Sequence, residues 1–336
     1  MTKQRKSWLA LGFVISALFL WLALRGLDMA HVWEYVRAAQ WPWLIPALLA
    51  YFVTVAARAG RWLFVLRPLA PNLTFSSLFG VVVLGYFGNN VYPLRIGELL
   101  RVYVLQRREK VALSAGLATL LVERVFDGTA VLLFVFLTLP LAPLPGGELR
   151  LLVAFASLLF LGALGAFLLL ALRGEQALRL ADWLSIRLLP ARWHEGTMGM
   201  ARRFVVGFAL LKRPSALLLL LVSSLVIWLI ETGKYWLVMQ AFPFHVPFWG
   251  LMLLIGLVNL ATILPSAPGF IGTFELPAIA VLVLLGVHES MATAYVLVLH
   301  ATLWLPSALF GLLYMLYAGW RWSDLEQAAT IAAANH

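Results

Sequence analysis

Long apolar stretches recur along the whole chain and decide what it can fold into. A helix that crosses a lipid bilayer needs about 20 largely apolar residues, and 63% of the 336 residues are hydrophobic while only 12% are charged. A soluble domain usually carries about 25% charged residues and could not bury this much apolar surface. The sequence therefore predicts an all-α polytopic membrane protein. Because the chain has no Cys, disulfides and thiolate metal sites are excluded.

The lengths of the apolar stretches predict six full spans and two re-entrant hairpins. In each hairpin two short apolar helices, interrupted by Gly and Pro, enter and leave the membrane on the same side, because neither half is long enough to cross it. The predicted full spans are 8–24, 43–57, 111–139, 149–172, 215–242 and 291–320, and the predicted hairpins are 75–105 and 248–287.

Basic residues fall mainly on one side of these predicted spans. Segments assigned to the inside contain most of the Lys and Arg residues, including Arg58 and Arg61 at the end of the second span, whereas segments assigned to the outside contain only Arg25, Arg37 and Arg150. Because basic residues mark cytoplasmic loops, both termini are predicted to lie in the cytoplasm, with the protein in the plasma (inner) membrane. The formal net charge of +10 is then charge that faces anionic lipid, and no nucleic-acid partner is predicted.

The interruptions of the two hairpins share one residue order: Asn, Pro, Gly, Glu. Three full spans separate the hairpins, so the second is expected to enter the membrane from the opposite side. Inverted repeats with broken helices are typical of secondary transporters, although Pro and Gly also occur as simple kinks in membrane helices. The residues concerned are Asn90, Pro93, Gly97 and Glu98 in the first hairpin, and Asn259, Pro265, Pro268, Gly269, Gly272 and Glu275 in the second.

This repeat divides the chain into three parts. Residues 1–173 form the first half with hairpin 75–105, residues 174–213 form a basic cytoplasmic segment with an interfacial helix, and residues 214–336 form the second half with hairpin 248–287. Apolar side chains spaced among the basic residues of the middle segment favour a helix in the headgroup layer.

Two predicted spans contain charged residues that are costly in lipid. Glu123, Arg124 and Asp127 share roughly one helix face, and Lys234 follows Glu231 by three residues. Each charge near the bilayer centre costs at least about 2.5–3.5 kcal/mol, so these groups must face one another, water or a polar ligand. Salt bridges that hold the bundle and a lining for a substrate or ion path are both open.

Further polar residues follow the first break. Arg95, Glu98 and Arg101 lie at three-residue steps, on one face of the helix after Pro93. A helix N-terminus in a break favours an anionic head group. The six His residues show no metal-ligand spacing and are assigned to interfacial or packing positions, and no nucleotide-binding motif occurs. No cofactor or metal is predicted.

Three motifs in this order resemble a known family. They are Asn90-x-x-Pro93-x-Arg95-x-Gly97-Glu98-x-x-Arg101, Glu123-Arg124-x-x-Asp127 and Pro265-x-x-Pro268-Gly269-x-x-Gly272-x-x-Glu275. Together with Arg58-x-x-Arg61-Trp62, they resemble the transmembrane domain of lysylphosphatidylglycerol synthases, the flippase-like region also found in multiple peptide resistance factors. Phe270 stands where a second Gly is expected. The resemblance covers nearly the whole chain and implies a domain that moves a lipid between leaflets.

The motif residues and the charged or amide residues near them form the candidate site. The candidate lipid-binding residues are Arg61, Asn90, Arg95, Glu98, Arg101, Glu123, Arg124, Asp127, Glu231, Lys234, Asn259 and Glu275; the structural breaks are Pro93, Gly97, Pro265, Pro268, Gly269 and Gly272.

The leading prediction is a flippase or scramblase for a phosphate-containing lipid, either anionic or aminoacylated. Full synthases append a soluble domain that attaches the amino acid, and none follows in this sequence, so no enzyme activity is expected. Other hypotheses are translocation of a polyprenyl-phosphate glycolipid or a hopanoid, an intramembrane enzyme that uses Glu98 and Glu275 as acid and base, and a noncatalytic partner of a synthase or glycosyltransferase. The duplicated motif favours transport of membrane lipids.

Overall fold

The computed structural model describes residues 3–92, 96–143, 173–188, 213–264 and 266–319, with isolated positions between 151 and 205. Within these ranges the chain is helical and forms no strand. The helices are α1 (Lys3–Leu24), α2 (Met29–Ala38), α3 (Leu44–Leu66), α4 (Phe75–Val91), α5 (Ile96–Glu109), α6 (Leu113–Thr138), α7 (Gly174–Leu188), α8 (Pro214–Met239), α9 (Phe248–Ala261), α10 (Glu275–Leu284) and α11 (Glu289–Tyr317).

Among the described residues, three helical stretches are long and apolar enough to cross a membrane: Trp41–Leu66, Pro214–Met239 and Glu289–Tyr317. A fourth is formed if α1 and α2, which are bent by 85° to each other, count as one span. Helix α6 also has 26 residues but contains three charged residues in its middle. Only isolated positions of the predicted span 149–172 are described, and the chain after 319 lies outside the described residues, so the number of six spans stays a prediction.

Helix α3 corrects the predicted end of the second span. The sequence placed this end near residue 57 and assigned Arg58 and Arg61 to the cytoplasmic flank, but the helix continues to Leu66 and both side chains are buried. They remain inside because carboxylates of α6 and α8 pair with them. Arg58, Arg61 and the likewise buried Arg101 therefore do not contribute to the charge of a cytoplasmic loop.

Helices α4 and α5 form a tight antiparallel pair on either side of residues 93–95. Their lengths are about 25 and 21 Å, shorter than the hydrocarbon core of about 30 Å. Gly88 and Gly97 face each other near the closed end, and a Cβ at Gly97 would collide with the carbonyl oxygen of Gly85. At the open end Ser77 donates a hydrogen bond to Glu109. The second helix of this pair ends four residues beyond the predicted boundary of the hairpin.

Helices α9 and α10 form the second short pair, and the segment between them corrects a predicted boundary. The sequence placed the second half of this hairpin from residue 270, but α10 begins only at Glu275. Gly269, Phe270 and Gly272 have φ values of 74°, 63° and 85°, which no α-helix accommodates. Phe270, which stands where a Gly was expected, thus adopts the left-handed conformation that glycine favours.

The two short pairs open toward opposite ends of a central helix pair, α3 and α8. These helices are antiparallel, since Arg61 contacts Ser224 while Arg58 contacts Glu231. Helix α4 follows the end of α3, and α9 follows the end of α8. In addition α4 packs on α11, and α9 packs on α6. Both closed ends thereby reach the same interior region.

Candidate functional site

A cavity of about 200 Å³ lies between the two short helix pairs. Its wall is made by α3, α4, α5, α6, α8, α9, α11 and the turn before α10, so most of the described bundle contributes to it. Aromatic rings and amides alternate with charged groups around the wall. The polar and aromatic lining residues are Tyr51, Thr54, Arg58, Tyr86, Asn89, Asn90, Glu98, Arg124, Trp228, Glu231, Lys234, Tyr235, Asn259, Thr262, Phe270, Phe274, His300, Trp304 and Ser307.

A buried ion cluster on one side of the cavity joins α3, α5 and α6. Asp127 accepts two hydrogen bonds from Arg61, from Nη1 at 2.6 Å and from Nη2 at 3.1 Å. The Nε of Arg61 donates to Glu123 at 3.3 Å, and Arg101 pairs with the other oxygen of Glu123. The hydroxyl group of Ser224 on α8 donates a further hydrogen bond to the Asp127 carboxylate at 3.1 Å. In this cluster the charged residues pair with one another across three helices.

Arg58 connects this cluster to the cavity. Its guanidinium donates to Asp127 at 2.8 Å and lies 3.6 Å from Glu231 across the central helix pair. Glu231 in turn pairs with Lys234 at 2.6 Å, as their three-residue spacing predicts. Arg58, Glu231 and Lys234 all line the cavity.

Arg124 faces a different partner from the one that the sequence suggested. Glu123, Arg124 and Asp127 were expected to share roughly one helix face, but Arg124 Nη2 contacts Glu98 at the start of α5, at 2.6 Å. Its side chain is 35% exposed, far more than the buried side chains of Glu123 and Asp127. Helix rotation explains the split, because successive residues point about 100° apart. Arg124 and Glu98 line the cavity, whereas Glu123 does not.

Glu275 lies in the second break, behind the cavity wall. Its Oε1 is 2.5 Å from Nδ1 of His300 on α11, and its Oε2 accepts from the backbone N–H of Gly272 at 2.7 Å. His300 also reaches the carbonyl oxygen of Gly269 at 2.8 Å and stacks on the ring of Phe274. The glutamate thus fixes the turn that precedes its own helix.

Several polar atoms beside the cavity have no partner among the described residues. The Nε atoms of Arg58 and Arg124, the indole Nε1 of Trp228 and the side-chain oxygen of Asn89 are buried and make no hydrogen bond there. A buried polar group without a partner costs about 1–3 kcal/mol. All four residues line the cavity, so these unsatisfied groups lie in its wall.

The predicted site residues thus fall into four places. Asn90, Glu98, Arg124, Glu231, Lys234, Asn259 and Gly269 line the cavity. Arg61, Arg101, Glu123 and Asp127 form the buried ion cluster beside it. Gly97, Pro268, Gly272 and Glu275 shape the two breaks. Pro93, Arg95 and Pro265 lie outside the described residues.

Two amides of the predicted site differ in their contacts. Asn90 donates across to α11, to the carbonyl oxygen of Trp304 at 3.1 Å and to Ser307. Asn259 donates back to Ile255 of its own helix at 2.8 Å. Asn90 therefore joins the first hairpin to the second half of the chain, while the hydrogen bond of Asn259 stays within its own helix.

Sequence reasoning missed several residues of the cavity. Arg58 was assigned to a cytoplasmic flank, and His300 to a packing or interfacial position. Tyr51 and Tyr86 gave no signal at all, because aromatic residues are common in membrane helices. The interior position of Arg58 could have been found from its three-residue spacing to Arg61, which places both on one helix face.

A comparison with protein families adds to this geometry. Residues 9–311 match the family model of the lysylphosphatidylglycerol synthase TM region. The chain belongs to this family. A UPF0104 membrane protein of Methanothermobacter thermautotrophicus is 26% identical over 91% of this chain and 93% of its own length. The UPF0104 membrane protein PH1989 of Pyrococcus horikoshii is 22% identical over 91% of this chain and 95% of its own length.

A third relative matches only in part. The glycosyltransferase AglD of Haloferax volcanii is 30% identical over 123 residues, which are 37% of this chain and 20% of that protein. The family and the apolar helices together identify an integral membrane protein.

Proposed function

We propose that the protein moves a lipid with a phosphate-containing head group, anionic or aminoacylated, between the two leaflets of the plasma (inner) membrane. The observation that carries this proposal is the set of buried, unpartnered N–H donors of Arg58, Arg124 and Trp228 beside one cavity. Phosphate oxygens are strong acceptors for guanidinium donors. The carboxylates of Glu98 and Glu231 on the same wall suit an amino group on the lipid. The proposal is transport and not catalysis.

The helix packing supports an inverted repeat of α3–α6 and α8–α11. Exchanging α3 with α8, α4 with α9, α5 with α10 and α6 with α11 converts the observed helix contacts into one another. The contact of α4 with α11 becomes that of α9 with α6, and the contact of α5 with α6 becomes that of α10 with α11. The central contact of α3 with α8 is unchanged by this exchange. This is the pattern that a two-fold axis through the α3–α8 pair produces.

The positions of charged residues support the same repeat. Arg58 and Arg61 lie 17 and 20 residues after Trp41, the first residue of one span, and Glu231 and Lys234 lie 17 and 20 residues after Pro214, the first residue of another. Arg58 and Glu231 thus occupy equivalent positions with opposite charges and meet at the axis, while the equivalent residues Arg61 and Lys234 are both cations. Transporters built from inverted repeats bind their substrates at this kind of interface.

The repeat predicts that the two hairpins open toward opposite faces of the membrane. Ser76, at the open end of the first hairpin, and His288, at the open end of the second, are both exposed. The chain has no Cys, so Ser76→Cys and His288→Cys each introduce one thiol. In intact cells we expect a membrane-impermeant maleimide to label His288→Cys, and to label Ser76→Cys only after permeabilisation. Labelling of both thiols from the same side contradicts the inverted arrangement.

A polyprenyl-phosphate glycolipid is the second candidate substrate. The amides of Asn89 and Asn90 and the rings of Trp228 and Trp304 line the cavity and suit a sugar next to the phosphate. The partial match to a protein named as a glycosyltransferase favours the same class. A neutral hopanoid fits less well, because the wall carries charged groups on several helices.

Retention of lipid through purification tests the proposal. We expect mass spectrometry of the purified protein to show phosphate-containing lipids, and Arg124→Ala to reduce their amount because it removes a cavity donor. Arg187→Ala, on the exposed face of α7, is the control and should retain them. Whether phosphatidylglycerol-type or polyprenyl-phosphate lipids are retained distinguishes the two candidates. Retention of neutral polycyclic lipids alone, unchanged in Arg124→Ala, contradicts both.

A further inference from the structure

The contacts of His300 determine how many protons the second break must hold. Both ring nitrogens face oxygen atoms: Nδ1 lies 2.5 Å from the Glu275 carboxyl group and Nε2 lies 2.8 Å from the carbonyl oxygen of Gly269. A carbonyl oxygen only accepts hydrogen bonds, so Nε2 must carry a proton. The short contact at Nδ1 then needs one more proton between this nitrogen and the carboxyl group.

Two arrangements supply this proton. Either His300 is a doubly protonated imidazolium next to a Glu275 carboxylate, or a neutral imidazole accepts a hydrogen bond from a protonated Glu275. In both, the pair has bound one proton more than a neutral histidine with a carboxylate, and its net charge is zero. Loss of the proton to water leaves the lone pair of Nδ1 facing a negative oxygen, which is repulsive.

We propose that the Glu275–His300 pair is a binding site for a coupling proton. This inference rests on the proposed lipid transport and names the ion that drives it. The bound proton links Glu275 of the second break to His300 of α11, and His300 also donates from Nε2 to the carbonyl oxygen of Gly269. Release of the proton makes the Glu275–His300 contact repulsive and loosens the turn that closes the cavity wall.

The equivalent pair in the first half explains why one break responds to protons and the other does not. Arg124 lies eleven residues after Leu113, the first residue of α6, and His300 lies eleven residues after Glu289, the first residue of α11. Each contacts a glutamate in the first turn of the preceding short helix, Glu98 or Glu275. An arginine keeps its charge at every physiological pH, whereas a histidine changes its charge between about pH 5 and 8.

The charged groups around this pair can be named for the described part of the chain. Within the described part of the chain, no other charged side chain pairs with His300 or Glu275. Helix α1 meets the break through Ser16, which accepts from the N–H of Ala267, and the ionisable residues of α2 next to α11 are exposed except for the half-buried Tyr35. The titratable groups that face the shared cavity are Tyr51 and Arg58 of α3, Tyr86 of α4, Glu98 of α5, Arg124 of α6, and Glu231, Lys234 and Tyr235 of α8.

Thiol labelling in the second break tests the proton site without any lipid. Ser266 is 3% exposed, and Ser266→Cys places a single thiol there. The rate of reaction with N-ethylmaleimide is divided by that of the exposed His288→Cys, which corrects for the pH dependence of the thiol itself. We expect the corrected rate to be about tenfold higher at alkaline than at acidic pH, because release of the proton loosens the turn.

Glu275→Gln is the decisive second variant, since its amide N–H donates to Nδ1 at every pH. We expect its corrected rate to stay low and independent of pH. His300→Gln, which keeps an amide donor for Glu275, should also be independent of pH and serves if Glu275→Gln does not fold. A flat profile in the Ser266→Cys protein, or a rise that persists in both variants, overturns the proton site. Lipid transport is measured separately, so failure of the labelling test leaves the proposed function standing.

Discussion

Asp127→Ala is expected to lower the midpoint of thermal unfolding by about 6–20 °C. The Asp127 carboxylate accepts hydrogen bonds from Arg58, Arg61 and Ser224, and its removal leaves two guanidinium groups buried without it. Breaking a buried ion pair costs about 3–5 kcal/mol, and each kcal/mol shifts the midpoint by about 2–4 °C in a chain of a few hundred residues. Unfolding in detergent, followed by tryptophan fluorescence, measures the shift.

Glu175→Ala is the matched control for this experiment. This substitution also removes a carboxylate that lies near an arginine. The side chain of Glu175, however, is 91% exposed, and Arg179 is 4.0 Å away. Exposed pairs contribute about 0–1 kcal/mol, so the midpoint should hardly move. Equal shifts in the two variants would show that the cluster around Asp127 does not stabilise the bundle.

The sequence predicted the class of the fold because the membrane imposes strong constraints. Apolar length identified the helices Pro214–Met239 and Glu289–Tyr317 within three residues at each end. Hydropathy failed at Arg58, since a charged residue normally ends a span. Hydropathy considers only neighbouring residues. It therefore could not predict that Asp127, 69 residues later in the chain, pairs with this arginine within the bundle.

The breaks were located correctly, but their geometry was not. Pro and Gly mark a chain interruption wherever they cluster, so the sequence indicated an interruption near Gly269. The positive φ values of Gly269 and Phe270 depend on contacts with distant segments, including Trp304, which lies against Gly269. For this reason the start of α10 at Glu275 could not be read from local sequence.

The candidate site likewise contains some contacts that local sequence predicts and others that only the fold produces. The Glu231–Lys234 pair follows from spacing within one helix. The role of His300 could not be predicted from the sequence. An isolated histidine in an apolar helix does not indicate a site, and its partner Glu275 comes next to it only in the folded chain. Arg124 lies between these cases: its position in a span marked it as important, but its partner Glu98 is on another helix.

A leaflet assay in proteoliposomes tests the central claim that a phosphate-containing lipid crosses the membrane through this cavity. Fluorescent phosphatidylglycerol, and in parallel a fluorescent polyprenyl phosphate, is incorporated into both leaflets, and dithionite then quenches only the accessible label. Protein-free vesicles should keep about half of the fluorescence, since half of the label faces inward. With the protein we expect nearly all of at least one probe to become accessible.

The same assay compares two arginines. Arg124 has a buried Nε without a partner beside the cavity, whereas Arg187 is exposed on α7. A hydrogen bond to a charged group contributes about 1.5–3 kcal/mol, so Arg124→Ala should slow translocation about 10–100-fold, while Arg187→Ala should not change it. Size-exclusion profiles like that of the parent protein verify the fold of both variants. Translocation of neither probe by the parent protein, or an unchanged rate in Arg124→Ala, would contradict the account.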